Sequence, residues 1–182
     1  MTFLRSLGLA VILFPVGMAT HEVMHLAVYS ALGVTAVLQV TPWRLGLPPG
    51  SGLTIFGLHA AAGAPVQLRV LLASNGLGPL LAALPLFVLW MAADRRSRAV
   101  RAALLANVVV LLFFSAIELA YPLLEQVGHI DADVLLLPEV NYGATLLIMV
   151  LVTALASWRS SPQRLRVMQS RSSPPASRLP AP

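Results

Sequence analysis

Four long apolar stretches dominate the sequence, and each is long enough to cross a lipid bilayer as a helix. They comprise residues 4 to about 32, 70–93, 102–124, and about 134 to 158. A bilayer has a hydrocarbon core ~30 Å thick, which a helix crosses in about 20 residues. Backbone polar groups cannot stay unpaired in lipid, so we expect all four stretches to be helical.

The composition agrees with a membrane environment. Hydrophobic residues make up 58% of the chain and charged residues 10%, whereas a soluble domain carries roughly 25% charged residues. So few charges cannot cover the surface of a soluble globule. The sequence therefore excludes a soluble enzyme and predicts an all-α, multi-pass integral membrane protein. The chain has no cysteine, which excludes disulfides, thiolate metal ligands and a cysteine nucleophile.

The positions of the charged residues predict the orientation in the membrane. All 12 basic residues are arginines, and nine of them lie in the loop after the second span or in the segment after the fourth. Short basic segments next to membrane spans usually face the cytoplasm. The loop after the third span is acidic and has no basic residue, so it is expected outside. Both termini are then cytoplasmic, in a bacterial plasma membrane. These arginines act as topology signals, so no nucleic-acid partner is expected.

The segment between the first two spans predicts a short β-hairpin. Residues 37–41 and 53–56 are rich in β-forming side chains and flank a Pro/Gly-rich cluster at 48–52. We predict one membrane domain over residues 1–158 and a disordered basic tail over 159–182, which is rich in Ser, Pro and Arg. A cleaved signal peptide is the alternative for the N-terminus. It is disfavoured because apolar character resumes after His25.

The first span contains an HExxH sequence, His21-Glu22-Val23-Met24-His25. Residues four apart lie on one face of a helix, so both imidazoles can bind one zinc ion. Glu22 follows the first histidine, where its carboxylate can accept a proton from a water on the metal. The alternative is a cluster of buried polar residues. Ionisable residues at membrane depth are costly and usually functional, which favours a metal site.

An HExxH sequence within a transmembrane helix resembles the site-2 protease type of intramembrane zinc metalloprotease. In that family two histidines and a later aspartate bind zinc and the glutamate activates water. His21 and His25 match the two histidine ligands, and Glu22 matches the base. The segment 75–79, Asn-Gly-Leu-Gly-Pro, resembles the Gly-Pro segment that packs beside the motif helix in the family. The resemblance implies a Zn²⁺-dependent endopeptidase that cleaves a membrane-protein substrate in or near a transmembrane segment.

The third metal ligand has three candidates, because the family's Leu-Asp-Gly motif is absent from this chain. We favour Asp131, since the small Ala132 that follows it is the nearest match to Asp-Gly. Asp133 could instead cap the fourth helix or orient a histidine. Glu118, within the third span, is the remaining candidate. Two histidines and one carboxylate would leave the fourth position of zinc open for water.

Two further polar residues and one rival function stay open. Asn75 could either hold the substrate backbone or the metal-bound water, or form an interhelical hydrogen bond, and His59 is expected at the surface. The hairpin edge could align an extended substrate segment by strand addition. The rival function is a non-catalytic protease relative that binds a metal or a partner. The sequence specifies no oligomeric state.

Overall fold

The computed structural model describes residues 2–45, 53–128 and 138–159. Within these ranges the chain forms four helices and one hairpin, in the order α1 (Thr2–Ala31), β1 (Ala36–Leu45), β2 (Leu53–Ala62), α2 (Leu68–Ala92), α3 (Arg98–Val127) and α4 (Pro138–Arg159). All four helices are long and apolar enough to span a membrane. The predicted fold class, four membrane-spanning helices with a β-hairpin between the first two, is confirmed.

The helix ends differ from the apolar stretches mainly at α3. This helix begins at Arg98, four residues before its apolar stretch, because helical hydrogen bonding can continue into the polar residues that flank a span. Helix α4 ends at Arg159 and begins at Pro138. The fourth span was expected to begin at about residue 134, and residues 134–137 lie outside the described residues, as does the predicted tail from residue 160 onward.

Helix α3 lies at the centre of the molecule and contacts the other three helices. Just over half of its most apolar window is buried, a larger share than in any other described span. Small side chains allow close helix packing. Ala10 of α1 packs against Ala103 and Ala106 of α3 in a cluster that Met149 of α4 completes. Leucines and valines elsewhere on the helices point away from the protein, as expected of surfaces that face lipid.

The hairpin follows α1 directly. Gly33 ends the helix in the left-handed conformation (φ 74°), and the N–H of Val34 donates to the carbonyl of Tyr29, which is a common helix C-cap. Strands β1 and β2 then pair antiparallel, from Ala36 opposite Ala62 to Leu45 opposite Leu53. Both strands contact α1. The hairpin therefore lies beside the second half of α1, where the HExxH residues are.

Candidate metal centre

The two histidines of the HExxH sequence face the same point inside the molecule. His21 and His25 lie one turn apart on α1 and are 1% and 6% exposed. Their Nε2 atoms are 2.6 Å apart. Because both imidazoles are buried and present the same ring nitrogen, they form one side of a candidate metal centre.

Glu118 of α3 forms the other side. One carboxylate oxygen lies 3.2 Å from His21 Nε2, and the other lies 3.0 Å from His25 Nε2. His21 and Glu118 stand 19 and 20 residues after the first residues of their helices, which corresponds to about 28 and 30 Å of helix. Since α1 and α3 run in the same direction, this equal distance along the two helices brings the three side chains to one level.

The donor set and its spacing fit a divalent metal ion. Ligand atoms of a tetrahedral zinc ion, at ~2.0–2.1 Å from the metal, are about 3.3–3.4 Å apart. The two histidine-to-carboxylate distances, 3.2 and 3.0 Å, are near that value. The 2.6 Å between the imidazoles would have to widen by roughly 0.7 Å. The group His21, His25 and Glu118 can therefore hold a metal ion after a small movement of one ring.

Helix α2 contacts His25 from the side away from the carboxylate. Ser74 Oγ lies 2.9 Å from His25 Nδ1, and the serine is fully buried. Gly78, one turn further along α2, packs against the same ring. A Cβ at Gly78 would lie only 2.8–3.0 Å from ring atoms of His25. Glycine is therefore required here for α1 and α2 to approach each other at the site.

Polar contacts also join α2 to α3 around Glu118. Asn75 Nδ2 donates to the backbone carbonyl of Glu118 over 2.9 Å, and Ser115 Oγ donates to the carbonyl of Gly76 over 3.1 Å. Asn75 thus forms an interhelical hydrogen bond, which is one of the roles expected for it from the sequence. Buried donors in an apolar environment are costly unless paired, so both bonds join α2 to α3, but only the one from Asn75 acts on the backbone of Glu118 itself.

Glu22 is held by the hairpin. Its side chain is largely buried, and Oε2 accepts a hydrogen bond of 2.8 Å from the backbone N–H of Ala60 in β2. His59, next along the strand and 58% exposed, has its Nδ1 4.0 Å from the same oxygen. His59 is thus at the surface, as expected, but it is close to the acid–base candidate. The hairpin therefore supplies a backbone N–H that donates a hydrogen bond to Glu22, the glutamate of the HExxH sequence.

Some of the predicted site residues are brought together and others lie outside the described part of the chain. His21 and His25 meet, and of the three candidates for the third ligand Glu118 lies beside them. Asp131 and Asp133 are outside the described residues, so the preference for Asp131 stays a prediction. Sequence reasoning missed Ser74 and the Ala60 N–H. A serine inside an otherwise apolar span was a signal for the first, but a backbone donor has no sequence signal.

Comparison with protein-family models, with characterised proteins and with solved structures finds no match for this chain.

Proposed function

We propose that this protein is a metal-dependent intramembrane peptidase. One observation carries the proposal, namely the convergence of His21, His25 and Glu118 from two membrane-spanning helices at one buried point. Glu22 adds a carboxylate at the position that a water-activating base occupies in an HExxH site. A buried cluster of this kind inside spans is expensive, which favours a functional role over a structural one.

Zn²⁺ is the metal that the ligand set favours. Two imidazole nitrogens and one carboxylate are a frequent ligand set of catalytic zinc, and they leave one position open for water or substrate. We assign Glu118 as the third ligand because both of its carboxylate oxygens lie within about 3.5 Å of a histidine nitrogen. Asp131 is the competing assignment, and the two are separated by the variants described in the Discussion.

The proposed reaction is hydrolysis of a peptide bond. A zinc ion held by this group would act as a Lewis acid toward the scissile carbonyl and the attacking water. Glu22 takes one proton from that water as its oxygen bonds to the carbonyl carbon. Glu22 then delivers the proton to the amide nitrogen as the C–N bond breaks, which yields a carboxylic acid and an amine. The hydrogen bond from the Ala60 N–H orients the carboxylate of Glu22 for this transfer.

A transmembrane segment of another protein is the proposed substrate. Helical peptide bonds are hidden by their own hydrogen bonds, so the segment must unwind before it is cut. The hairpin offers backbone groups for pairing with such an extended segment. Strand β2 already donates the N–H of Ala60 to Glu22, so we propose that such a segment pairs with β1, the other strand of the hairpin.

We further propose that the site lies in the outer half of the membrane. The arginine-rich loop between α2 and α3 would face the cytoplasm, together with both termini. His21 lies about 28 Å along α1 from the N-terminal end. The hairpin then lies at the outer face of a bacterial plasma membrane, close to the metal centre.

The Glu22→Gln variant tests the catalytic part of the proposal. The full chain and this variant would be purified in detergent, loaded with Zn²⁺ and incubated with a panel of reconstituted single-span peptides. Products would be identified by mass spectrometry and metal content by elemental analysis. We expect Glu22→Gln to retain its zinc and to lose cleavage by roughly 10²- to 10⁴-fold, since the amide cannot accept the proton.

His21→Ala serves as the matched control, because it should lose both zinc and cleavage. Near wild-type cleavage by Glu22→Gln would contradict the proposed chemistry. Zinc binding by a wild-type chain that cleaves no peptide of the panel would favour the non-catalytic, metal-binding alternative.

A further inference from the structure

Two residues of α2, Ser74 and Gly78, hold the imidazole of His25, whereas the imidazole of His21 has no equivalent contact. Ser74 Oγ is hydrogen-bonded to His25 Nδ1, and Gly78 packs on the same ring. The two residues are four apart on α2 and so lie on one face. His21 Nδ1, although buried, has no hydrogen-bond partner among the residues that the structure describes.

We propose that Ser74 is a positioning residue that makes His25 the fixed ligand of the metal centre, while His21 is the ligand that moves when metal binds. The inference rests on the metal site of the proposed function and adds a residue outside the HExxH sequence. When Nε2 of His25 binds metal, its Nδ1 carries hydrogen and donates it to Ser74 Oγ. A partner of this kind fixes the tautomer and the ring orientation of a ligand histidine.

The short distance between the imidazoles supports this division of roles. The two Nε2 atoms are 2.6 Å apart, and a tetrahedral metal needs about 3.3 Å between them. The ring of His25 lies so close to α2 that even a Cβ at Gly78 would come within 2.8–3.0 Å of it, which leaves little room for movement toward that helix. His21 faces Phe114, with ring centroids 5.9 Å apart, and no hydrogen bond from its Nδ1 has to break. The separation is therefore achieved by a small rotation of His21.

The complete burial of Ser74 indicates that its hydroxyl group has a specific role. The residue is 0% exposed within a helix that spans the membrane. A hydroxyl in such a place is costly unless it is hydrogen-bonded. Alanine would pack equally well in that volume, so the benefit of serine is its contact with His25. A second contact of the same type, Ser115 Oγ to the Gly76 carbonyl, joins α2 and α3 nearby without touching an imidazole.

Ser74→Ala and Ser115→Ala are thus a matched pair that tests the inference. The dissociation constant for Zn²⁺ would be measured on the full-length chain in detergent by competition with a chelator. The absorption spectrum of the Co²⁺-loaded protein would report the ligand geometry independently of stability. We expect Ser74→Ala to weaken Zn²⁺ binding by about 10- to 100-fold and to change the Co²⁺ spectrum. Ser115→Ala should stay within about three-fold of wild type, with an unchanged spectrum.

Equal affinities and equal Co²⁺ spectra for wild type and Ser74→Ala would overturn this inference and leave the proposed function standing. Equal losses in the two serine variants would also overturn it, because the effect would then come from helix packing in general. A wild-type chain that binds no metal at all would overturn the proposed function, and this inference with it.

Discussion

At the scale of single residues, the site depends on a glycine as much as on its ligands. A Cβ at Gly78 would lie 2.8 Å from His25 Nδ1, and the atom it meets belongs to a ring that is held by Ser74. The ring cannot turn away without breaking that hydrogen bond. The close approach of α1 and α2 at this level is therefore available only to glycine.

Gly78→Ala is expected to weaken Zn²⁺ binding by about ten-fold or more, since His25 must shift from its position. Gly8→Ala is the matched control, because a Cβ at Gly8 meets nothing within 4 Å. That variant should bind Zn²⁺ as wild type does, since alanine has the higher helix propensity. Chelator competition measures both. Unchanged affinity in Gly78→Ala would mean that the helices can separate at no cost to the site.

The residues of the site differ in how far the sequence predicts them. His21, Glu22 and His25 are predicted by local spacing alone, because a helix determines which face each residue occupies. Glu118 was only one of three candidates, since its approach to the histidines depends on how α3 packs beside α1. Ser74 was not predicted, because its role depends on a contact with a residue 49 positions away in the sequence.

At the scale of elements, the hairpin does more than connect α1 and α2, because it also contacts Glu22. Its existence follows from β-forming segments around a Pro/Gly-rich turn, and the structure confirms it. Its contact with Glu22 could not be predicted, since the donor is a backbone N–H that every residue except proline carries. The N–H of Ala60 is directed at the carboxylate instead of across the hairpin to β1.

Removal of this N–H in Ala60→Pro should lower the rate of peptide cleavage by about ten-fold, because the base loses its orientation, while zinc content stays at the wild-type level. Leu58→Pro is the control. Leu58 lies two residues earlier, so its N–H points to the same edge of the hairpin, and proline is tolerated at a strand edge. Cleavage rates and elemental analysis are the measurements. Equal rates in the two variants would show that the Ala60 N–H does not orient Glu22.

At the scale of the whole molecule, the four spans follow from composition and length, and their packing does not. Apolar stretches predicted each helix because no other structure satisfies the backbone in lipid. The central place of α3 was not evident, since even the most apolar of the four spans can face lipid as well as other helices. It follows from small residues on facing helices, such as Ala10 and Ala106, whose effect depends on their neighbours in space.

The orientation of the whole protein in the membrane is also a prediction. A reporter inserted between α2 and α3, after Arg96, should be cytoplasmic, and one inserted after Gly128 should be outside. Accessibility of single cysteines to a membrane-impermeant reagent is a suitable measurement, because the wild-type chain has no cysteine. The reverse labelling pattern would place the metal centre in the inner half of the membrane and contradict its proposed location in the outer half.

A metal ion held by His21, His25 and Glu118 is the central proposal for this protein, and X-ray absorption spectroscopy of the zinc-loaded protein tests it most directly. We predict one zinc per chain with two imidazole ligands and at least one oxygen ligand at ~2.0–2.1 Å. Glu118→Gln should lose most of its zinc, whereas Asp131→Asn should keep it. A Glu118→Gln variant with full zinc content and an unchanged spectrum would contradict the assignment, and loss of zinc in Asp131→Asn instead would transfer the third ligand to Asp131.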